Sequence, residues 1–247
     1  MISVCMATYN GAEYIKKQLD SVIEQLSFED EIIISDDGST DDTIQIIEKY
    51  NDNRIKVLYH TKATYLEGVK YSTNFVLAAA NFENALQAAK GDYIFLCDQD
   101  DIWCPNKRIR MLDFLKENDI VMSNFALIDA NDNIRNNYFY KKSPISKYLI
   151  KNIISARFLG CCMAFNRNVL NYILPFPRKL IGHDYWIGCL GVKKFKFYFI
   201  NEPLHLYRRT NTNVSTACGK SNNSLIYKIS YRLVFLMQCI IRIISRG

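Results

Sequence analysis

The feature that most constrains this chain is an alternation of strand-like and helix-like segments in which two of the strands run into clustered acids. Ile2 to Met6 is a short apolar run closed by the turn chemistry of Thr8-Tyr9-Asn10-Gly11. Behind it Ile15, Leu19, Val22, Ile23 and Leu26 recur at helical spacing. Glu31 to Ser35 repeats the strand pattern, Asp36-Asp37-Gly38-Ser39-Thr40 interrupts it, and Ile44, Ile46 and Ile47 follow with Ser39 or Thr40 as the expected helix cap. Ile55 to Tyr59 reads as a third strand and an Ala-rich stretch ending near Lys90 as a helix. Tyr93 to Cys97 is a fourth strand that runs straight into Asp98-Gln99-Asp100-Asp101. Strands alternating with helices predict an α/β chain with a parallel, doubly wound sheet. Ligands of such sheets bind outside the carboxyl ends of the strands, so topology alone brings Asp36 and Asp37 to the same rim as Asp98, Asp100 and Asp101.

The second half is less regular. Ile120 to Leu127 and Cys161 to Phe165 read as buried strands, Lys196 to Ile200 and Leu204 to Tyr207 as shorter ones, and Asp129 to Asn137 as a loop. With 49% hydrophobic and 23% charged residues in 247, a disordered or collagen-like chain is excluded. The net charge of +6 is local: nothing after Glu202 is acidic, whereas that tail carries seven basic residues, and the first 202 residues are close to neutral. A nucleic-acid-binding body is therefore not expected. Eight cysteines lie mostly in apolar runs without a CxxC pair. They read as buried free thiols and, with no N-terminal signal peptide, point to a reducing cytoplasm.

Closely spaced aspartates repel one another and raise one another's pKa unless a cation neutralises them. A hard divalent ion, Mg2+ or Mn2+, is the natural partner, and a diphosphate would complete its shell. Neither GxxxxGK(S/T) nor GxGxxG is present to cradle phosphate by backbone alone. The alternative for each acidic cluster taken singly is a solvated turn.

Three segments, Ser3-Val-Cys-Met-Ala-Thr-Tyr-Asn-Gly11, Ile34-Ser-Asp-Asp-Gly-Ser-Thr-Asp41 and Gly91-Asp-Tyr-Ile-Phe-Leu-Cys-Asp-Gln-Asp-Asp-Ile-Trp103, together resemble the inverting family 2 glycosyltransferases with a GT-A nucleotide-sugar-binding fold. The resemblance spans most of residues 2 to 209, and its Asp-Gln-Asp-Asp-Ile-Trp form is similar to the rhamnosyltransferase-like branch of bacterial polysaccharide synthesis. It implies a GT-A domain over 1–209, a mostly parallel sheet flanked by helices, with 1–103 as the nucleotide-sugar-binding half and 104–209 as the acceptor-binding half. Residues 210–247 remain as a basic amphipathic tail.

For the site, the resemblance implies that Thr8, Tyr9 and Asn10 lie beside the nucleotide, with Asp37 at its base or ribose. Asp98 and Asp100 are the DxD pair facing donor and metal, with Asp100 the main ligand of Mg2+ or Mn2+. Asp101 supports that loop, and Trp103 lines the sugar or acceptor side or is a plain core aromatic. Gly182-His183-Asp184-Tyr185-Trp186 stands where the family carries its general base. Asp184 takes that role with His183 orienting it and Trp186 on the acceptor side; the alternative is that Asp184 caps the segment behind it. Gly160 permits close backbone approach, Cys161 and Cys162 look like packing, and Arg208 and Arg209 reach the diphosphate. Glu202 is the next acidic candidate for the base, and either Asn81 or Asn84 faces the nucleotide.

The implied activity is transfer of a sugar, rhamnose included, from a nucleoside diphosphate donor to a glycan or lipid-linked acceptor, by a cytoplasmic enzyme peripheral on the inner face of the cell membrane. Two alternatives stand beside it. One is metal-dependent phosphoryl transfer, because Asp98-Gln-Asp-Asp-Ile102 superficially resembles the DxDx(T/V) loop of haloacid-dehalogenase-like phosphatases. The other is a non-catalytic partner with the same fold.

In the tail, only nine residues separate Arg232 from Arg242, too few to span a bilayer, which takes about twenty apolar residues. On a helix, Lys228, Arg232, Arg242 and Arg246 fall within about 80° of one another, and Ile229, Leu233, Phe235, Leu236, Ile240 and Ile243 occupy the rest. That pattern suits a helix lying in an anionic membrane surface. Docking onto the body or onto a second subunit of a homo-oligomer is the alternative.

Overall fold

A computed structural model describes residues 1–60, 73–155, 157–177, 180, 182–210 and 224–246. Its first half follows the sequence reading. Strands β1 (Ile2–Thr8), β2 (Glu31–Asp36), β3 (Ile55–Tyr59) and β4 (Tyr93–Asp98) are parallel. Helices α1 (Ile15–Ile23), α2 (Thr43–Glu48) and α3 (Thr73–Ala88) lie between them in the chain. The sheet then continues through β5 (Ile102–Trp103), β6 (Ile120–Ile128), β8 (Met163–Asn166) and β9 (Phe197–Arg208), in the spatial order β3-β2-β1-β4-β8-β6-β9-β5, with β7 (Ile134–Asn136) added beside β6. Strand β8 runs antiparallel to both β4 and β6, so the sheet is mixed. Helices α4 (Lys107–Leu115), α5 (Leu149–Ser155), α6 (Arg167–Ile173), α7 (His183–Lys194) and α8 (Leu225–Ser245) complete the described elements.

Side chains alternate across the sheet, so the apolar strands serve two cores. Val4, Met6, Ile32, Ile34 and Phe95 pack against α1, α2 and α4, while Cys5, Ile33, Ile94 and Leu96 pack against α3 and α7. Burial on both faces is why these strands read as continuous apolar runs rather than as alternating ones. Seven cysteines are free and six of them buried; Cys218 lies outside the described residues.

Three expectations are corrected. Neither Ser39 nor Thr40 caps α2, whose cap is Asp42; the Ser39 hydroxyl instead donates to Asp36 Oδ1 at 2.6 Å. The two short strands at Lys196 to Ile200 and Leu204 to Tyr207 are one strand, β9, irregular where Pro203 cannot donate to the ladder. The basic stripe of the tail faces the protein. Arg232 donates to Ile154 O at 2.8 Å, Arg242 to Tyr172 O at 2.7 Å, and Arg246 to Asn171 O. Phe235, expected on the remaining surface, lies with Cys239 on the same side as these cations, and both are buried. Helix α8 is thus docked on the body, and among the described residues no helix is long and apolar enough to cross a membrane.

Candidate active site

Strand register sets the rim. Thr8 pairs with Asp36 and Ala7 with Asp98, so β1, β2 and β4 end within one residue of each other and their loops open on the same side. Asp36 holds its own loop by accepting from Gly38 N at 3.0 Å, Ser39 N at 2.7 Å and the Thr8 hydroxyl at 2.9 Å. Asn10 takes the left-handed conformation, with φ 48°, that a short polar side chain tolerates, and its Oδ1 accepts from Thr40 N at 2.8 Å. Gln99 closes the other side of the rim, accepting from Tyr9 N at 2.9 Å and donating to Tyr9 O at 3.0 Å.

Above the rim is a cavity of about 360 Å3, walled by Thr8, Tyr9, Asp37, Asn81, Phe82, Asp98, Asp100, Gly160, His183, Asp184 and Tyr207, among others. Eight expected site residues meet there, from five separate stretches of chain: Thr8, Tyr9, Asp37, Asp98, Asp100, Gly160, His183 and Asp184. Asp37 is tied to His60 Nδ1 at 2.8 Å, a partner the sequence reading missed. Of Asn81 and Asn84, Asn81 lines the cavity and donates to Thr8 O at 3.2 Å, whereas Asn84 donates to the Ser35 hydroxyl.

The acids are electrostatically strained. Burial and mutual repulsion with Asp100, Asp101 and Asp184 hold the Asp98 carboxyl well above the usual carboxylate range. Burial and the neighbouring Asp101 raise Asp100 in the same way. The donor set fits a hard divalent ion: two carboxylates at one cavity wall whose protonation a bound cation would reverse. The Cys161 side chain, expected as packing, lies with its sulfur within 4.8 Å of carboxylate oxygens of Asp98 and Asp101.

Asp101 turns away from the cavity into a buried relay. Lys107 Nζ donates to Cys161 O at 2.7 Å and to His205 Nδ1 at 2.9 Å, and His205 Nε2 donates to Asp101 Oδ2 at 2.8 Å. Asp101 Oδ1 accepts from Arg208 N at 2.7 Å, and Arg208 Nε donates to Asp100 O at 2.7 Å. Desolvation, with the Lys107 charge beside it, pushes His205 well below its ordinary value, which keeps the ring neutral and gives the relay its direction. Lys107, Asp101, His205 and Arg208 are all 0% exposed. Arg208 therefore braces the acidic loop instead of lining the cavity, which corrects the expectation that it reaches a diphosphate from there. Arg209 is also away from the lining, with its N–H on Ile128 O at 2.9 Å.

Two aromatics of the expected set lie in the core, which for Trp103 is the second of its two expected readings and for Trp186 corrects an acceptor-side role. Trp103 is 2% exposed, packed on Phe95 and under Lys107, so it is a core residue. Trp186 is 0% exposed and donates its indole N–H to Ile173 O at 3.0 Å, facing the body rather than an acceptor. Asn10 shapes the β1 loop without lining the cavity.

Asp184 and His183 stand in the first turn of α7, behind Gly182, whose φ of 85° favours glycine. The N-cap is Gly182; Asp184 sits inside the helix, where its Oδ1 accepts from Tyr185 N at 2.7 Å. Burial pushes its carboxyl up to about 6. Burial also pushes His183 down to about 3, and the neutral ring stacks on Phe82 with centroids 3.9 Å apart. Gly160 makes this approach feasible, since a Cβ there would lie 2.8 Å from His183 Nε2 and 3.3 Å from Asp184 Cβ. Glu202, the other acidic candidate, is paired with Arg110 at 2.5 Å outside the cavity.

Comparison with known proteins agrees with this geometry. The chain is 29% identical over 205 residues, 81% of this chain and 73% of the relative, to the UDP-Glc:alpha-D-GlcNAc-diphosphoundecaprenol beta-1,3-glucosyltransferase WfgD of Escherichia coli. It is 28% identical over 222 residues, 84% and 72% of the two chains, to the dTDP-rhamnosyl transferase RfbG of Shigella flexneri. Among solved structures it resembles S. aureus TarS 1–349 in complex with UDP, with a TM-score of 0.62 at 19% identity over 95% of this chain and 70% of that one. It also resembles glucosyl-3-phosphoglycerate synthase from Mycobacterium tuberculosis in complex with Mn2+, UDP and phosphoglyceric acid, with a TM-score of 0.57 at 18% identity over 98% and 78%. The family model for glycosyl transferase family 2 matches residues 3–174, and with a sheet and cavity of this form the chain belongs to the family 2 glycosyltransferases of GT-A fold.

Proposed function

We propose that this glycosyltransferase moves a sugar from a nucleoside diphosphate donor to a hydroxyl of a glycan or lipid-linked acceptor, with inversion at the anomeric carbon, in the synthesis of bacterial cell-surface polysaccharide. The observation that carries the reading is the position of Asp184. It shares one cavity with Asp98 and Asp100 and has a carboxyl raised to about 6, near the value a general base needs at neutral pH. Thr8, Tyr9, Asp37 and Asn81 form the nucleotide side, and Asp98 and Asp100 hold Mg2+ or Mn2+. When bound, the cation offsets charge building on the departing diphosphate.

The chain's own groups supply the remainder. Asp184 accepts the proton of the acceptor hydroxyl as that oxygen attacks the anomeric carbon on the face opposite the diphosphate, which inverts the centre. His183, neutral and stacked on Phe82, walls that side of the cavity and keeps water from the carboxylate. A membrane-bound acceptor puts the enzyme on the inner face of the cell membrane as a peripheral protein. The names of WfgD and RfbG support a UDP-sugar or dTDP-sugar donor, glucose and rhamnose being the first to try.

The test follows nucleoside diphosphate release from UDP-glucose, UDP-GlcNAc, GDP-mannose and dTDP-rhamnose, with Mn2+ and with or without a polyprenyl-diphosphate-linked sugar. Release that needs both the cation and one donor is expected. Release from none of the four, with acceptor and cation present, refutes the reading.

A further inference from the structure

With its basic stripe turned inward, α8 shows solvent the opposite side. Among its described side chains every exposed one is apolar except Ser230 and Ser245. Ile226 is 81% exposed, Met237 62% and Ile244 77%, with Leu233 and Ile241 between them. At 1.5 Å per residue these positions form an uncharged apolar strip about 25 Å long. Helix α5 packs beside it, Arg232 donating to Ile154 O at 2.8 Å. That helix and the bend before it add exposed Tyr148, Ile150 and Ile154, with Lys147 and Lys151 over the Tyr148 ring at 5.2 and 5.3 Å.

Charge identifies the occupant. From residue 133 to 183 the chain has nine basic residues and no acid, and after Glu202 it has seven basic residues and no acid. The segments that build and border the strip are thus of one sign. A second copy docked through the same strip would set two lysine-bearing rims against each other. An anionic lipid surface takes the apolar side chains into its acyl boundary and pairs its headgroups with the lysines.

We propose that the outward face of α8, with α5 beside it, is the membrane-binding surface, seated on anionic phospholipid with the basic stripe of α8 locking the helix to the body. This rests on the peripheral location proposed above, and its test does not depend on turnover.

Flotation with phosphatidylcholine vesicles containing about one third phosphatidylglycerol should carry the intact protein up, and Leu233→Glu with Met237→Glu should lower the partition coefficient at least tenfold, since two apolar side chains no longer enter the acyl boundary and two carboxylates face anionic lipid. Lys147→Glu with Lys151→Glu should lower it about tenfold or more on anionic vesicles, in a salt-dependent way, and leave binding to pure phosphatidylcholine unchanged. All four positions are exposed, so circular dichroism should match the parent; Leu233→Ser with Met237→Ser is the milder pair. Three results overturn the proposal. The intact protein stays at the bottom of the gradient, or the acidic substitutions in α8 leave flotation unchanged. Or sedimentation shows a dimer that the Leu233 and Met237 substitutions dissociate, which assigns the face to a second copy. Donor hydrolysis in solution, measured in parallel, separates failure here from failure of the glycosyltransfer reading.

Discussion

Replacing Lys107 by Met tests whether the acidic loop is held from behind. The substitution keeps the length of the stem and removes the ammonium, leaving Cys161 O and His205 Nδ1 without their donor in a region that is 0% exposed at Lys107, Cys161 and His205 alike. A buried acceptor stripped of its partner costs about 1–3 kcal/mol, so the pair should cost about 2–6 kcal/mol. At roughly 2–4 °C per kcal/mol for a chain of this size, the melting temperature should fall by about 4–24 °C. Thermal unfolding followed by circular dichroism reads this directly. His205→Leu should cost a similar amount, and the two together clearly less than the sum, because both substitutions break one relay. A melting temperature within about 2 °C of the parent, or strict additivity, would refute the idea that Lys107 and His205 act as a unit.

Three further substitutions address the cavity. Asp184→Asn is nearly isosteric but cannot take a proton, so kcat should fall by two to four orders of magnitude, about the usual contribution of a positioned base, with donor affinity kept. Because burial places the Asp184 carboxyl of the free enzyme at about 6, it is protonated and inactive below that pH and competent above it, so kcat/KM should climb with pH to a plateau; an acid limb centred near the ordinary carboxylate value contradicts the burial argument. Asp100→Ala should abolish cation-stimulated donor hydrolysis, as excess chelator should in the parent, and undiminished turnover in either case removes the metal assignment. Gly160→Ala puts a methyl 2.8 Å from His183 Nε2 and must shift the first turn of α7, costing about 1–3 kcal/mol of stability and at least tenfold in kcat; parental kcat would show that the close approach is incidental.

The rim was legible in the sequence because strand ends are marked locally. An apolar run followed by Thr-Tyr-Asn-Gly, Asp-Asp-Gly or Asp-Gln-Asp-Asp states where a strand stops and what stands at its end, and parallel topology does the gathering. Lys107 was not legible. After Cys-Pro-Asn a lysine reads as the solvated first turn of a helix, and only the antiparallel pairing of β5 with β9 brings His205 beneath it. The pairing of Asp37 with His60 and the fastening of Tyr9 by Gln99 join loops of different strands, contacts that no local pattern encodes. The tail shows a different limit. Periodicity established that Lys228, Arg232, Arg242 and Arg246 share one side, but the period is the same whichever side meets the body. What decided the orientation was a set of carbonyls at Ile154, Asn171 and Tyr172, left free at the ends of α5 and α6, which guanidinium groups satisfy and aliphatic side chains cannot.

The acidic loop and the proposed base are anchored by different kinds of force, for a physical reason. Between the end of β4 at Asp98 and the start of β5 at Ile102 the chain has no ladder hydrogen bonds, so this short loop must be fixed by directed bonds. Arg208 supplies these directly and Lys107 through His205, and the two buried cations offset some of the loop's charge. Asp184 needs no such bracing, because a helix already fixes its direction; what must be fixed is the helix. That task falls to apolar packing. Phe235 of α8 stacks on Tyr185 at 4.3 Å, and Arg242 lies 5.2 Å over the Trp186 ring, against the residues that follow Asp184 in the chain. The inner face of α8 therefore positions the base, while its outer face is the one proposed to meet lipid. A helix so placed carries the catalytic cavity at a fixed height and tilt above the membrane, which is what an enzyme needs if its acceptor hydroxyl is tethered there.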